Sequence, residues 1–261
     1  MYSFEYSKPA SLGEAESAVS EDAILLAGGM TLIPTLKQRL ASPDQLIDLS
    51  GIGDLAGISI SGDTVTIGAM TTHGEVAASS DVQKAIPALA ALAETIGDPA
   101  VRNRGTIGGS IANNDPAADY PAAVVGLGAT VKTNKREIAG DDFFTGLFET
   151  ALDEGEIVTS VSFPVPEKAG YSKFPNPASR YAIVGVFAAK TGGGARVAVT
   201  GAGPCVFRVS DMESALDGNW SPDAVAGISV PASGLNEDIH ASAEYRAHLV
   251  TVMAKRAVAA S

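Results

Sequence analysis

A short glycine-rich segment near the N-terminus has the composition of an anion-binding loop. It consists of Ala27, Gly28, Gly29, Met30 and Thr31, between an apolar stretch and a helical pattern. Glycine lets backbone N–H groups point at an anion, and a threonine at a helix start can cap the helix. Such a segment suits a pyrophosphate, although a plain strand-to-helix turn that needs two glycines gives the same pattern. Neither G-x-G-x-x-G nor G-x-x-x-x-G-K-[ST] occurs in the chain.

A second segment of the same kind follows Arg104. Its residues are Thr106, Ile107, Gly108, Gly109 and Ser110. The polar residues downstream, which could hydrogen-bond ligand hydroxyls and a ring system, are Asn113, Asn114, Asp115 and Asp119. Two such segments could clamp one diphosphate from both sides. In this interpretation the glycines are there because an anion approaches the backbone closely.

The elements that must position these segments alternate between helix and strand. Helical spacing predicts helices over residues 12–20, 32–40, 81–96, 119–127 and 243–260. Short apolar stretches predict strands over residues 23–26, 45–49, 58–60, 64–67, 129–133, 157–163, 181–190 and 196–201. Turn residues at 61–63 and 192–194 indicate two hairpins. The pattern is that of an α+β protein with three lobes.

Proline residues mark the best domain boundary. Pro164 and Pro166 follow the strand predicted over 157–163 and would end it. We therefore expect a first domain over residues 1–166, composed of an N-terminal α/β lobe (1–57) and a middle lobe (58–166), and a second domain over 167–261.

Composition excludes several classes of function. The 261 residues are 46% hydrophobic, and the formal net charge of −12 makes a nucleic-acid partner unfavourable. No apolar run reaches the roughly 18 residues of a membrane span, so no integral membrane segment is expected. Cys205 is the only cysteine and the three histidines are scattered, so the chain alone cannot build an iron–sulfur or zinc site.

Several ordered motifs resemble one family over nearly the whole chain. They are the two glycine-rich segments in their settings at residues 26–40 and 96–121, the stretch VTIGAMTT at 65–72, the start at 2–6 and the closing helix at 244–258. Together they resemble the FAD-binding medium subunits of molybdenum hydroxylases, the xanthine dehydrogenase family. The resemblance is greatest to the type found in aerobic carbon monoxide dehydrogenases.

The resemblance implies a fold and a set of site residues. The fold would be a PCMH-type, vanillyl-alcohol-oxidase-like FAD-binding domain, followed by a small C-terminal α/β domain of the carbon monoxide dehydrogenase flavoprotein type. Carried over by position, the two glycine-rich segments would bind the diphosphate and its surroundings. Asp119 would approach the ribityl or ring end of FAD, Ile157 would lie along the flavin, and Lys173 and Tyr181 would sit near the isoalloxazine. No acid–base catalytic residue is expected, because the flavin is the redox centre.

The resemblance also implies partners. This chain would hold FAD, while [2Fe-2S] clusters and molybdopterin would belong to a small and a large partner subunit, in a dimer of heterotrimers. The complex would be cytoplasmic and could associate with the inner face of the cytoplasmic membrane.

The leading hypothesis is an FAD-dependent electron-transfer subunit that passes electrons from the clusters to an external acceptor in a carbon monoxide dehydrogenase-type complex. The alternatives are a subunit of a hydroxylase for another aldehyde or N-heteroaromatic substrate, a stand-alone flavin oxidase, and a scaffold that has lost its cofactor.

Overall fold

The computed structural model describes residues 1–261. The strands are β1 (Glu5–Ser7), β2 (Ala23–Leu26), β3 (Gln45–Asp48), β4 (Ile58–Ser61), β5 (Thr64–Gly68), β6 (Thr130–Thr133), β7 (Glu137–Ala139), β8 (Phe144–Gly146), β9 (Glu149–Thr150), β10 (Val158–Pro164), β11 (Lys168–Pro175), β12 (Ala182–Thr191), β13 (Gly194–Thr200) and β14 (Phe207–Arg208). The helices are α1 (Leu12–Ala18), α2 (Leu32–Lys37), α3 (His73–Ala78), α4 (Ser80–Ala85), α5 (Pro87–Glu94), α6 (Pro99–Arg102), α7 (Ile107–Asn113), α8 (Tyr120–Gly126), α9 (Gly140–Phe143), α10 (Ser210–Gly218) and α11 (Ala243–Ala259).

The N-terminal part is a small parallel α/β unit. Its sheet has the order β1-β3-β2, and both strand pairs are parallel. The middle part contains a five-stranded sheet in the order β4-β5-β10-β6-β7, in which every pair is antiparallel. The two glycine-rich segments stand at element starts: the first joins β2 to α2, and the second leads into α7.

The main core lies between the middle sheet and the helices that pack on it. It comprises 32 buried residues, drawn largely from β5, β6, β10 and helices α3, α4, α5, α7 and α8. All seven residues of α8 are buried. That helix is enclosed because Phe187, Ala189 and Ala198 of the C-terminal sheet belong to the same core.

The C-terminal sheet is covered on both faces. Its order is β11-β12-β13-β14 with antiparallel pairing throughout. Along β12, Phe187 and Ala189 enter the main core, while Val184, Val186 and Ala188 enter a second core with α10 and α11. Alternation of side chains between two faces places the same strand in both cores.

Most predicted elements occur within a few residues of their expected bounds, but one predicted helix is two. The pattern over 81–96 divides into α4 and α5 at Ile86, because Pro87 cannot donate the hydrogen bond that a continuous helix would need. Residues 107–110, interpreted as part of a loop, are the first turn of α7. The strand β11 and the helix α10 were not predicted at all.

No helix of the chain is both long enough and apolar enough to cross a membrane.

Candidate cofactor-binding site

The two glycine-rich segments lie against each other. Gly28 sits so close to the backbone of Arg104 and Gly105 that a Cβ on residue 28 would overlap the Arg104 carbonyl oxygen. A Cβ on Gly109 would lie 3.3 Å from the Cβ of Ala27. The chain's own packing therefore requires glycine at residue 28, so an approaching anion is not the only reason for a glycine there.

The first segment keeps its backbone amides free. The residues whose N–H groups donate no hydrogen bond within the chain are Ala27, Gly28, Gly29, Met30 and Thr31. At Gly29 a φ of +74° places the backbone in the left-handed region, which glycine adopts without strain. The segment is at least partly exposed throughout. Successive free amides of this kind form an anion-binding nest.

Thr31 does not cap α2 as the sequence predicts. It occupies the N-cap position, but its side chain makes no capping hydrogen bond. Its hydroxyl lies near the phenol of Tyr181. Burial, followed by the Asp115 and Asp119 carboxylates, raises the pKa of Tyr181, and Thr31 acts in the opposite direction. The contact brings the C-terminal part of the chain to the first segment.

The second segment uses most of its amides inside the chain. Thr106 caps α7 by accepting a hydrogen bond from the Gly109 N–H at 3.1 Å. The other N–H groups donate to carbonyl oxygens: Ser110 to Thr106, Ile107 to Thr71 and Gly108 to Ala69. Only the Thr106 N–H lacks an acceptor in this segment. The free amides are therefore concentrated in the first segment, and binding of a diphosphate by the second segment stays a prediction.

His73 packs beneath the second segment, a role that the sequence does not reveal. Its backbone N–H donates to the Gly105 carbonyl at 2.9 Å, and its ring leaves no room for a Cβ on Gly105. Burial, followed by the charge of Arg102, lowers the pKa of His73 from 6.5 to about 4. The neutral ring supports the segment, and the contact was missed because it joins distant parts of the chain.

Asn114 ties the end of α7 to a neighbouring hairpin. It adopts a left-handed conformation with φ of 42°, and its Nδ2 donates to the carbonyl oxygens of Gly146 and Glu149 at 2.9 and 2.7 Å. Its Oδ1 is buried and has no hydrogen-bond partner. A buried acceptor of this kind suits a donor supplied from outside the chain.

Asp119 and Lys173, both predicted near the flavin, form a buried ion pair. The ammonium lies 2.9 Å from Asp119 Oδ1, and both side chains are about nine-tenths buried or more. The Lys173 Nζ also donates to the Thr95 carbonyl at 3.0 Å, and the Tyr171 hydroxyl donates to Asp119 at 2.5 Å. Because burial raises the pKa of Asp119 while Lys173 and Tyr171 oppose that shift, the pair depends on both partners.

A cavity of about 630 Å³ adjoins this pair. Tyr171 and Lys173 lie two residues apart on β11 and both line it. The turn between β11 and β12 lines its other side, where Arg180 Nη1 donates to the Gly97 carbonyl at 3.1 Å. Tyr181, the next residue, lies beside Thr31. One turn thus joins the cavity to the anion nest.

Ile157 lies apart from these residues. Its side chain is 1% exposed and packs in a small core with residues of the N-terminal part, among them Ile47 and Leu49. Its N–H donates to Asn134 Oδ1 at 2.8 Å and its carbonyl accepts from the Asn134 N–H at 2.9 Å. The contact of Ile157 with the flavin stays a prediction.

The preceding residue, Glu156, organises a polar network beside Ile157. Its carboxylate accepts hydrogen bonds from Thr133 Oγ1 at 2.6 Å, from Arg136 Nε at 3.0 Å and from the Asp153 N–H at 2.8 Å. The Arg136 guanidinium is the main reason why the pKa of Glu156 falls from its ordinary value of 4.5 to about 2. The network fixes the backbone that leads into β10.

Glu156→Gln is expected to destabilise the chain by about 2 kcal/mol at pH 7, because a buried charge-assisted network loses its anion. A folded-state pKa below the unfolded value gives stability that is present above about pH 4.5 and is lost as the pH falls towards 2. The difference in the free energy of unfolding between wild type and variant, measured by urea unfolding, should therefore become smaller as the pH falls from about 4.5 towards 2.

Glu167→Gln is the matched control, because Glu167 pairs with Lys190 at the surface. It should cost less than about 1 kcal/mol at either pH. Equal losses of unfolding free energy in the two variants would show that the Glu156 network stabilises the chain no more than a surface ion pair does.

These residues fit a ligand that combines an anionic diphosphate with a polar ring. The free amides of the first segment match the anion, and the unpaired Asn114 Oδ1 matches a donor. No group of three or more His, Cys, Asp or Glu side chains is arranged to hold a metal ion.

Comparison with known proteins gives this ligand a name. The family of FAD-binding domains in molybdopterin dehydrogenases matches residues 2–166. The family of carbon monoxide dehydrogenase flavoprotein C-terminal domains matches residues 169–261. The two matches together cover almost the whole chain.

Relatives of known function agree with these matches. The chain is 36% identical to the carbon monoxide dehydrogenase medium chain of Hydrogenophaga pseudoflava, over 99% of this chain and 96% of that one. It is also 36% identical to the nicotine 6-hydroxylase medium subunit of Paenarthrobacter nicotinovorans, over 97% and 95%. The solved carbon monoxide dehydrogenase of Oligotropha carboxidovorans superposes with a TM-score of 0.91 at 34% identity, covering 99% and 97%. The chain belongs to the FAD-binding medium subunits of molybdenum hydroxylases, oxidoreductase subunits of complexes in which other subunits carry the iron–sulfur and molybdopterin centres.

Proposed function

We propose that this chain binds FAD with its diphosphate on the first glycine-rich segment and serves as the electron-transfer subunit of a carbon monoxide dehydrogenase-type complex. The observation that carries the proposal is the row of free amides over residues 27–31, held against the second segment by the Gly28 contact. An anion can accept hydrogen bonds from such a row of unpaired N–H groups.

The remaining roles follow from position around this nest. The backbone of residues 27–31 and the Thr106 N–H would hold the diphosphate, with the Ser110 hydroxyl near it. Tyr181 and the Asp119–Lys173 pair would border the ring, and Ile157 would contribute from the N-terminal core. Residues 1–166, with lobes 1–57 and 58–166, would form the FAD-binding domain, and residues 167–261 would close the site.

When bound, the flavin supplies the redox chemistry, because it takes electrons singly and releases them in pairs. The chain's own residues bind and orient it. Asp119 and Lys173 hold mutually compensated charges in a buried position, and the neutral Tyr171 phenol donates a hydrogen bond to Asp119. Such preorganised groups set the electrostatic surroundings of a cofactor without moving during the reaction. No residue is required as a general acid or base.

The partners would be a small subunit with [2Fe-2S] clusters and a large subunit with molybdopterin, in a dimer of heterotrimers. The single cysteine of this chain supports that division of cofactors. We propose that the complex is cytoplasmic and is able to associate with the inner face of the cytoplasmic membrane. Equal identity to relatives named for carbon monoxide and for nicotine keeps a hydroxylase for another aldehyde or N-heteroaromatic substrate as the second candidate.

Titration of the full chain with FAD and with FMN tests the diphosphate nest. We expect saturable FAD binding and at least about 100-fold weaker FMN binding, because FMN cannot place a pyrophosphate on several amides at once. Flavin fluorescence and the visible spectrum measure the affinities for FAD and for FMN. Equal affinities would contradict the nest, and FAD binding by neither the chain nor the assembled complex would contradict the proposed function.

A stand-alone oxidase is distinguished by anaerobic substrate screening. The FAD-loaded chain should show no rapid bleaching of the flavin with small aldehydes or N-heteroaromatics until the partner subunits are added. Rapid bleaching of the isolated chain would favour the oxidase.

A further inference from the structure

The phenol of Tyr171 has a position that the family resemblance does not assign. Tyr171 and Lys173 project from the same face of β11, since alternate residues of a strand share a face. The Tyr171 hydroxyl donates to Asp119 Oδ1 at 2.5 Å, and Lys173 Nζ lies 2.9 Å from the same oxygen and 3.2 Å from Oδ2. Asp119 stands at the start of α8, in the other part of the chain. The three groups therefore join two parts of the structure.

We propose that Tyr171 is a positioning residue of the flavin site, whose phenol holds the Asp119 carboxylate in its pairing with Lys173 and so keeps the lysine charge compensated at the cavity wall. The inference rests on the proposed function, because it concerns how the chain's residues tune a bound flavin.

The buried surroundings make this hydrogen bond matter. A carboxylate removed from water needs donors for its oxygens, and Asp119 finds them in Tyr171 and Lys173. Burial, followed by the Asp119 charge, raises the pKa of Tyr171, so the phenol stays protonated and remains a donor at neutral pH. Replacement by phenylalanine would leave Lys173 as the only side-chain donor to Asp119.

The other titratable groups near Asp119 cannot replace the phenol. Asp115 and Tyr181 act on the same region, and both have a raised pKa for which burial is the main cause. Tyr120, the neighbour of Asp119 on α8, is fully buried, and its hydroxyl has no hydrogen-bond partner. Without Tyr171, Asp119 should therefore take up a proton at a higher pH than in the wild type. Lys173 would then carry an uncompensated positive charge at the wall of the cavity.

An uncompensated positive charge changes a measurable property of the bound cofactor. It stabilises the more negative, reduced form of the flavin and so raises its reduction potential. In Tyr171→Phe this rise should appear as the pH is lowered through the new pKa of Asp119. In the wild type the same step should occur at a lower pH.

The test measures the reduction potential of bound FAD between about pH 5 and pH 9 in the full chain, together with the FAD dissociation constant. Tyr171→Phe should shift the pH-dependent step of the reduction potential to higher pH and weaken FAD binding at pH 7, because the Asp119 carboxylate that pairs with Lys173 has lost a hydrogen-bond donor. Tyr120→Phe is the matched control, since it removes a buried phenol hydroxyl that has no partner. It should leave both quantities at their wild-type values.

The Asp119→Asn variant separates a positioning role of Tyr171 from a contribution through general packing. In Asp119→Asn the pH-dependent step should be absent, and adding Tyr171→Phe should not restore or move it. Wild-type potentials and affinity in Tyr171→Phe would overturn the inference and leave the proposed function intact. An equal shift in Tyr120→Phe, or a further shift in the Asp119→Asn background, would also overturn it. Failure of the wild type to bind FAD at all would instead refute the proposed function.

Discussion

Gly28→Ala is expected to abolish FAD binding, with the affinity falling at least about 100-fold, because the new Cβ overlaps the backbone of the second segment. The contact at residue 28 is with the Arg104 carbonyl, which is backbone and cannot rotate away as a side chain would. The two segments must then separate, and the amides of residues 27–31 lose their alignment. Fluorescence titration with FAD measures the loss, and thermal unfolding shows whether the rest of the chain stays folded.

Two further glycine variants calibrate this result. Gly53→Ala adds a methyl group where no other atom lies within 4 Å, so FAD affinity should be unchanged. Gly109→Ala brings a Cβ to 3.0 Å from Thr106 Oγ1, a contact that a small shift relieves, and its effect should be intermediate. If Gly28→Ala binds FAD as tightly as Gly53→Ala does, the contact between the two segments is not required for FAD binding.

The sequence predicts the strand and the helix on either side of the first glycine-rich segment well, because the signals are local. The strand at 23–26 has the predicted bounds, and the glycines that follow it form the segment whose amides are free. A short apolar stretch, two glycines and a helical pattern lie within about twenty residues. No distant contact is needed to recognise them.

The parts of the site that depend on distant contacts could not be predicted in the same way. The second segment resembles the first in composition, yet two of its amides donate to the carbonyl oxygens of Thr71 and Ala69, which no local pattern links to it. The strand β11 combines glycine, lysine and proline and has no regular apolar alternation, so its pairing with β12 was missed. Tyr171, which donates a hydrogen bond to Asp119, lies on that strand and was therefore missed as well.

Lys173→Met is expected to destabilise the chain by about 3 to 5 kcal/mol at pH 8, the usual cost of leaving a buried charge without its partner. The side chains of Lys173 and Asp119 are 5% and 4% exposed, so water cannot take over the pairing. Lys190→Met breaks an ion pair with Glu167 whose side chains are 42% and 59% exposed, and it should cost less than about 1 kcal/mol. Urea unfolding of the full chain at constant pH compares the two.

The pH dependence identifies the unpaired carboxylate as the cause. Burial already raises the pKa of Asp119 above its ordinary value of 3.8, and removal of Lys173 raises it further. A folded-state pKa above the unfolded one means that stability is highest below the unfolded pKa and is lost as the pH rises through the folded one. The Lys173→Met penalty should therefore be smaller at pH 5 than at pH 8. The double variant Asp119→Asn/Lys173→Met should recover most of the loss at pH 8, since no buried charge remains. A penalty that is independent of pH and unrelieved by Asp119→Asn would show that Lys173 contributes by packing alone.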